Sequence, residues 1–423
     1  MSRSRRSVAL VALLAAGFVS LGLPDGMLGV AWPSMRRDFD RPLDALGAIL
    51  ILFTAGYLAS SFGTGAILAR MRVGTLLTIS AFITGLCLLT FAIAPAWVVV
   101  VAVAGVAGLG AGAIDAGLNA YAATHHSPAT LHWIHAAYGV GAAASPLFLG
   151  HLLARGGRWQ TGYAAVGVLE LVLAGCFLAT RHWWHTPPAV VAATLPVSPA
   201  TATIPVQPHR VPQGPSPERP SLRATLGIGR VQFGIAVFFV YTGLEAAVGT
   251  WAFTLLTAHY RLPEDSAGHW VGAYWGSLAA GRVLAGVFAR RLAPLTVIRL
   301  SAGGLMVGTL LPLCLVHPAT AQLALIILGI ACAPVFPLLI ALTPHRVGAQ
   351  HATSAVGFQI AAATLGQSLI PTAIGWAGRT HGLRAIPFLW FTAAAMLLLA
   401  LPALARLSRN HSGTRGTTPG SFF

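Results

Sequence analysis

Residues 21–32 read Leu-Gly-Leu-Pro-Asp-Gly-Met-Leu-Gly-Val-Ala-Trp, setting one carboxylate, Asp25, inside an apolar run that begins near Val8. At about 1.5 Å of rise per residue, a helix entering a bilayer near Val8 carries Asp25 roughly 25 Å along its axis. That is still inside a hydrocarbon core about 30 Å thick. A charge at such depth is costly and points to function. Gly22, Gly26, Gly29 and Pro24 loosen the helix around it, as expected where backbone meets another helix or lines a wet cavity.

The rest of the composition agrees. The 423 residues are 56% hydrophobic and only 9% charged, with a mean hydropathy of +0.75, whereas soluble domains carry about 25% charged residues. The chain therefore reads as an all-α membrane protein. Its formal charge of +16 is carried by arginines scattered between apolar segments, so they act as topology signals and not as a nucleic-acid surface. There is no lysine, hence no lysine for Schiff-base or phosphate-loop chemistry. Cys87, Cys176, Cys314 and Cys332 all lie in apolar segments without ligand spacing, which argues against a disulfide framework or zinc site. No cofactor or metal is expected. The basic stretch Met1 to Arg6 leads into an apolar run too long for a signal sequence and reads as a retained first helix.

Apolar segments long enough to span fall near 7–32, 43–69, 73–93, 96–124, 131–154 and 159–181, then near 226–258, 266–291, 294–315, 319–342, 350–378 and 383–408. Residues 182–224 between the two sets hold ten prolines, a composition that favours extended, non-helical chain. The expected organisation is a first six-helix bundle over 1–181, a cytoplasmic linker over 182–224, a second bundle over 225–408 and a cytoplasmic tail over 409–423. With the N-terminus in the cytoplasm, seventeen arginines fall on that side and eight on the other, where Asp38, Asp40, Asp44, Glu264 and Asp265 also lie. That bias places both termini and the linker inside.

The halves repeat. Phe18, Asp25 and Gly29 match Phe238, Glu245 and Gly249 at one offset, and Gly141, Pro146 and Gly150 match Gly366, Pro371 and Gly375. Two like-oriented bundles with a site between them follow. The fourth segment carries Gly110-Ala-Gly112 and then Asp115-Ala-Gly-Leu-Asn119; the fifth carries His135-Ala-Ala-Tyr138-Gly139-Val-Gly141. The seventh reads Tyr241-Thr-Gly243-Leu-Glu245-Ala-Ala-Val-Gly249-Thr-Trp251, and the eighth contains Gly281-Arg282. With Asp25 in its glycine-rich helix, the chain resembles the major facilitator superfamily and, within it, the fucose, glucose and galactose proton symporters. The resemblance implies twelve transmembrane helices, proton coupling through an acid on helix one and a sugar held by an acid and an Asn on helix four. It covers nearly all of the chain outside the linker and tails. One departure stands out: where the superfamily has an Asp before the arginine of the loop after helix two, this chain has Ala69-Arg70.

The candidate residues follow from their chemistry. An intramembrane carboxyl can take and lose a proton during a transport cycle, which suits Asp25 and its counterpart Glu245 to proton coupling. Arg282, inside a span, can pair with Glu245 and fix helix packing. Asp115 and Asn119 share a helix face and together offer donors and acceptors to vicinal hydroxyls, or else clamp two helices. His135 can relay protons or donate to a hydroxyl; the alternative is a packed core histidine. Tyr138 and Trp251 neighbour the motif residues and offer apolar faces to a sugar ring, with Gln359 and Gln367 supplying amides from the second half. Pro334 and Pro337 would kink helix ten and act with Arg70 and Arg282 in gating or packing. Glu170, midway along helix six, receives no role.

The expectation is a secondary transporter, not an enzyme, that takes up a sugar or sugar-like polyol with protons by alternating access. Its partners would be that solute, protons and the lipid of a bacterial inner membrane, with no nucleic acid, and it would work as a monomer. No phosphate-binding Gly-x-x-x-x-Gly-Lys-Ser/Thr stretch exists, so ATP is not the energy source. The rival reading on the same fold is a proton-coupled exporter of drugs or metabolites; a non-transporting solute sensor is a third.

Overall fold

The computed structural model describes residues 3–126, 128–184, 220–288, 292–314 and 317–409. Its first six long helices are α1 (Arg3–Asp38), α2 (Leu46–Leu68), α3 (Val73–Ile93), α4 (Trp97–His125), α5 (Pro128–Ala154) and α6 (Trp159–Thr180). A one-turn helix α7 (Leu222–Leu226) precedes the second set. That set comprises α8 (Gly229–Thr254), α9 (Glu264–Phe288), α10 (Pro294–Cys314), α11 (Pro318–Cys332), α12 (Val335–Val347), α13 (Ala349–His381) and α14 (Ala385–Arg409). Helices α11 and α12 form one broken span, giving twelve spans in two groups of six.

Apolar side chains can face lipid while the helix satisfies its own backbone bonds, which is why these runs fold as helices. Nine spans among the described residues are long and apolar enough to cross a membrane on their own. Helices α9 and α13 are not among them; they carry more polar and charged residues, including Glu264, Asp265, His269 and Arg282 on α9 and Gln359, Gln367 and Arg379 on α13. Helix α14 is apolar over the shorter run Ala385–Ala400.

The expected span positions agree with these helices, with three corrections. Helix α1 runs beyond 7–32 at both ends, to Arg3 and Asp38, and continues through both Pro24 and Pro33. Helix ten is interrupted where Pro334 caps the start of α12 with a backbone outside the preceding helix, and α12 continues to Val347. The end of the expected extended linker is helical: the Ser221 hydroxyl accepts the Ala224 N–H at 3.2 Å and starts α7, as an N-cap serine should. The remainder of that linker from 185 to 219, and the tail from 410, lie outside the described residues.

The packing repeats between halves. Helix α1 lies along α5 as α8 lies along α13, α2 along α4 as α9 along α11, and α3 along α6 as α10 along α14. Between the bundles, α5 packs on α9 and α2 on α13, with α1 crossing α8. At the α1–α8 crossing a Cβ on Gly29 would stand 2.6 Å from the Thr250 carbonyl oxygen, and at the α5–α9 crossing a Cβ on Gly150 would stand 2.8 Å from the Gly268 Cα. Only glycine permits either approach. Both crossings lie toward the side of the molecule where α1 ends, here called the far side. Two polar contacts also bridge the bundles there: the ion pair of Arg379 Nε with Asp44 Oδ1 at 3.3 Å, and His151 Nδ1 to Asp265 Oδ1 at 3.1 Å. The bundles thus meet most closely at the far side.

Candidate functional site

A cavity of about 150 Å³ lies between the bundles, lined by Asp25, Tyr57 and Tyr138 from the first half and by Glu245, Thr250, Trp275, Arg282 and Gln367 from the second. Asp25 stands just after Pro24 on α1, and the Tyr138 hydroxyl of α5 donates to its Oδ2 at 2.6 Å. Gly26 lets α1 approach α5 closely enough for that bond, because its Cα faces the Ala142 carbonyl of α5 directly. The Asp25 partner is a neutral phenol.

The matching acid is held differently. Glu245, buried on α8, accepts from Arg282 Nη2 at 3.3 Å through Oε1 and from the Tyr241 hydroxyl, one turn earlier, through Oε2. The Tyr274 hydroxyl donates to the Glu245 carbonyl at 2.8 Å, and the Cys332 carbonyl at the end of α11 lies 2.7 Å from the Tyr241 hydroxyl. This network ties α8, α9 and α11 together. A carboxylate beside a guanidinium keeps its charge compensated, so the two acids facing one cavity differ in kind.

Asp115 is fully buried and stands behind the cavity wall. The Tyr57 hydroxyl of α2 donates to its Oδ2 at 2.5 Å, and Asn119 Nδ2 lies 2.9 Å from both Oδ1 and the Asp115 carbonyl. The cavity meets Tyr57 and Ala111 instead. The helix-four pair expected from the sequence therefore forms, but its polar atoms are turned on each other and on α2.

The other expected residues divide similarly. Tyr138 and Arg282 line the cavity. His135, one turn before Tyr138, is buried against Phe18 with ring centroids 4.5 Å apart and is not in the cavity wall. Trp251 is buried, and its indole N–H donates to the Pro371 carbonyl at 2.9 Å, pinning α8 to α13 where a proline sits inside the helix. Gln359 accepts the Thr343 hydroxyl at 2.9 Å and joins α13 to α12; Gln367, two turns later, is the amide that reaches the cavity. Pro334 and Pro337 stand at the break between α11 and α12 and within its first turn. Arg70 is exposed after α2, beside a terminus-side cluster in which Arg72 Nη1 approaches His182 Nδ1 at 3.4 Å and Arg6 covers the Trp183 ring at 5.6 Å. Glu170 is buried beside Ser20 of α1, away from the cavity.

Thr54, Thr250 and Thr364 also face the cavity without having been singled out. A signal existed for two of them: Thr54 precedes Tyr57 by three residues and Thr364 precedes Gln367 by three, so each shares a helix face with a polar neighbour. A larger depression of about 540 Å³, lined by Arg37, Asp38 and Arg158, lies at the far-side ends of α1 and α6. It is open and remote from both intramembrane acids.

Two six-helix groups with matching internal packing, joined around a polar cavity, define a multi-pass membrane protein of the transporter kind. The chain belongs to the Major Facilitator Superfamily, whose family model matches residues 14–208 and 233–421. Over 139 residues, 33% of this chain, it is 34% identical to sodium-dependent glucose transporter 1 of Homo sapiens; over 171 residues, 40% of the chain, it is 30% identical to the protein of that name in Danio rerio. The matches span only 26% and 28% of those relatives' lengths. A mutant of the nucleoside transporter NupG superposes with a TM-score of 0.71 over 94% of this chain and 99% of its own, at 14% identity. That likeness is one of fold.

Proposed function

We propose that this protein is a secondary active transporter that carries a sugar or sugar-like polyol into the cell, coupled to protons and working by alternating access of the central cavity. The observation that carries the reading is the unequal pair of acids: Asp25 meets a phenol, whereas Glu245 meets a guanidinium. With Glu245 compensated, Asp25 is the charge whose neutralisation changes the cavity most. Protonating it would leave the cavity without net charge and let the two bundles rock about the bound solute. Glu245 then keeps its place at the coupling site as the fixed member, linked through Arg282. The sugar relatives support the solute class, and the cavity's tyrosines, threonine, amide and Trp275 indole face offer what a hydroxylated ring needs.

In this scheme Tyr138, Arg282 and Gln367 contact the solute, and Asp115 and Asn119 position Tyr57 from behind. His135, Trp251 and Gln359 support the helices that carry the contacts. The arginine asymmetry supports a bacterial inner-membrane orientation with both termini cytoplasmic, so the close far-side contacts correspond to a state closed toward the outside. Each chain holds a complete cavity, which supports action as a monomer.

Proteoliposomes with an imposed pH gradient and labelled hexoses and alditols test the reading. Accumulation that follows the pH gradient and collapses with a protonophore is the expected result. The glucose-transporting relatives are named sodium-dependent, and accumulation driven by a sodium gradient at clamped pH would replace the proton with sodium. Outward movement of lipophilic cations without hexose uptake would replace uptake with export.

A further inference from the structure

Beside Asp25 a second space of about 80 Å³ opens inside the first bundle. It shares Asp25, Leu28, Leu50 and Phe53 with the central cavity, so only these four side chains stand between the two spaces. Beyond them the walls are Ile49, Leu88 and Phe91, with Ala104 and Ala107 of α4 leaving the room that larger residues would fill. All five are at most 5% exposed. Five of the six helices of the bundle thus enclose one carbon-lined pouch.

Water gains little in such a pouch, because a stable site for it needs two to four polar partners. The lining polar groups are the Asp25 carboxyl at that boundary and the buried Tyr163 at the side. Across the central cavity, by contrast, Glu245, Arg282, Thr250 and Gln367 present donors and acceptors. A ligand filling both spaces is therefore hydroxylated at one end and apolar at the other.

We propose that the pouch receives a compact apolar substituent of the transported solute, so that the preferred substrates are hydroxylated rings bearing a short alkyl group, in the manner of an alkyl glycoside. This rests on the sugar reading above and narrows it. A void of this size takes a short alkyl chain, given that one of about 150 Å³ takes benzene. Each buried methylene should tighten binding about fourfold until the pouch is full.

The test measures affinities of the purified protein in lipid nanodiscs for glucose, galactose and their methyl, ethyl and n-propyl glycosides, by calorimetric titration. The wild type should bind the n-propyl glycoside at least tenfold more tightly than the parent hexose, several methylenes contributing. Ala107→Leu, which fills the pouch, should bring that ratio close to one. Leu88→Ala, which enlarges it, should shift the preference to a longer chain and gives a reading even where the filled variant folds poorly. Hexose binding with no gain from alkylation overturns the pouch assignment and leaves the sugar reading standing. A gain unchanged in both variants also overturns it, since the alkyl group would then lie elsewhere. No binding by any hexose or glycoside overturns both.

Discussion

The two bundles answer the same question, how to hold an acid in the middle of a membrane, in opposite ways. In the first, acids are placed among neutral donors: Tyr138 on Asp25, and Tyr57 with Asn119 on Asp115. In the second, Glu245 is matched with Arg282 and braced by Tyr241. Phenol and amide donors stabilise a carboxylate by hydrogen bonding but do not cancel its charge, whereas a guanidinium does both. One half therefore surrounds its acids with neutral donors, and the other gives its acid a cation. The lesson is that a sequence repeat can preserve the position of an acid while the partner residue around it changes.

The strongest way to break this comparison is Asp25→Asn. It should lower the gradient-driven accumulation ratio by more than about tenfold, while solute exchange without a gradient remains measurable, because in the proposed scheme Asp25 is the group that carries coupling. Uphill accumulation at wild-type level in labelled-hexose uptake would remove the contrast altogether. Next come Glu245→Gln and Arg282→Ala taken singly, each of which strands one member of a buried pair. A loss of about 3 kcal/mol is expected for either, read as a lowered midpoint in thermal unfolding in detergent, and the double variant should recover part of it. Equal stability of all three proteins would show that the pair is not the fixed element.

A smaller effect separates the two tyrosines. Tyr57→Phe removes a donor from the buried Asp115 and should cost about 1–3 kcal/mol of stability, with affinity changed less than by Tyr138→Phe, whose hydroxyl serves the cavity acid. Comparing unfolding midpoints with solute affinities for the two variants sharpens the division between a wall that binds and a clamp behind it. The smallest effect belongs to the far-side rim, where Arg379 and Asp44 are partly solvated. Asp44→Asn should change stability by less than about 1 kcal/mol but shift cysteine accessibility toward the open far side, an effect that shrinks as salt is raised.

Much of the fold was legible because a membrane imposes a simple rule. Runs such as 73–93 must be helical, and their ends agree with α3 residue for residue. The Glu245–Arg282 pair was legible for a related reason, as an arginine inside a span has few places to turn. Helix ten was less so: Pro334 marks a weak point, but whether it kinks or breaks the helix depends on what packs around it. Asp115 and Asn119 show the limit most clearly. Their spacing places them on one face, yet spacing says nothing of which neighbour that face meets, and here Tyr57 arrives from 58 positions earlier to close it. Gln359 and Gln367 lie on one helix two turns apart, and only the docking of α13 on α8 and α2 turns the second, not the first, toward the cavity.

Sequence alone determined that this chain crosses a membrane many times, that its halves share a weak repeat, and that Asp25 and Glu245 occupy matching places in it. Hydropathy, helical period and repeat offset are local properties that survive without knowledge of packing. Only tertiary structure decided that Asp25 meets the Tyr138 phenol, that Asp115 stands behind a tyrosine, and that an apolar pouch opens beside Asp25. Those outcomes depend on contacts between helices far apart in the chain, and hydrogen bonds that form or fail over a few ångströms leave no trace in residue spacing.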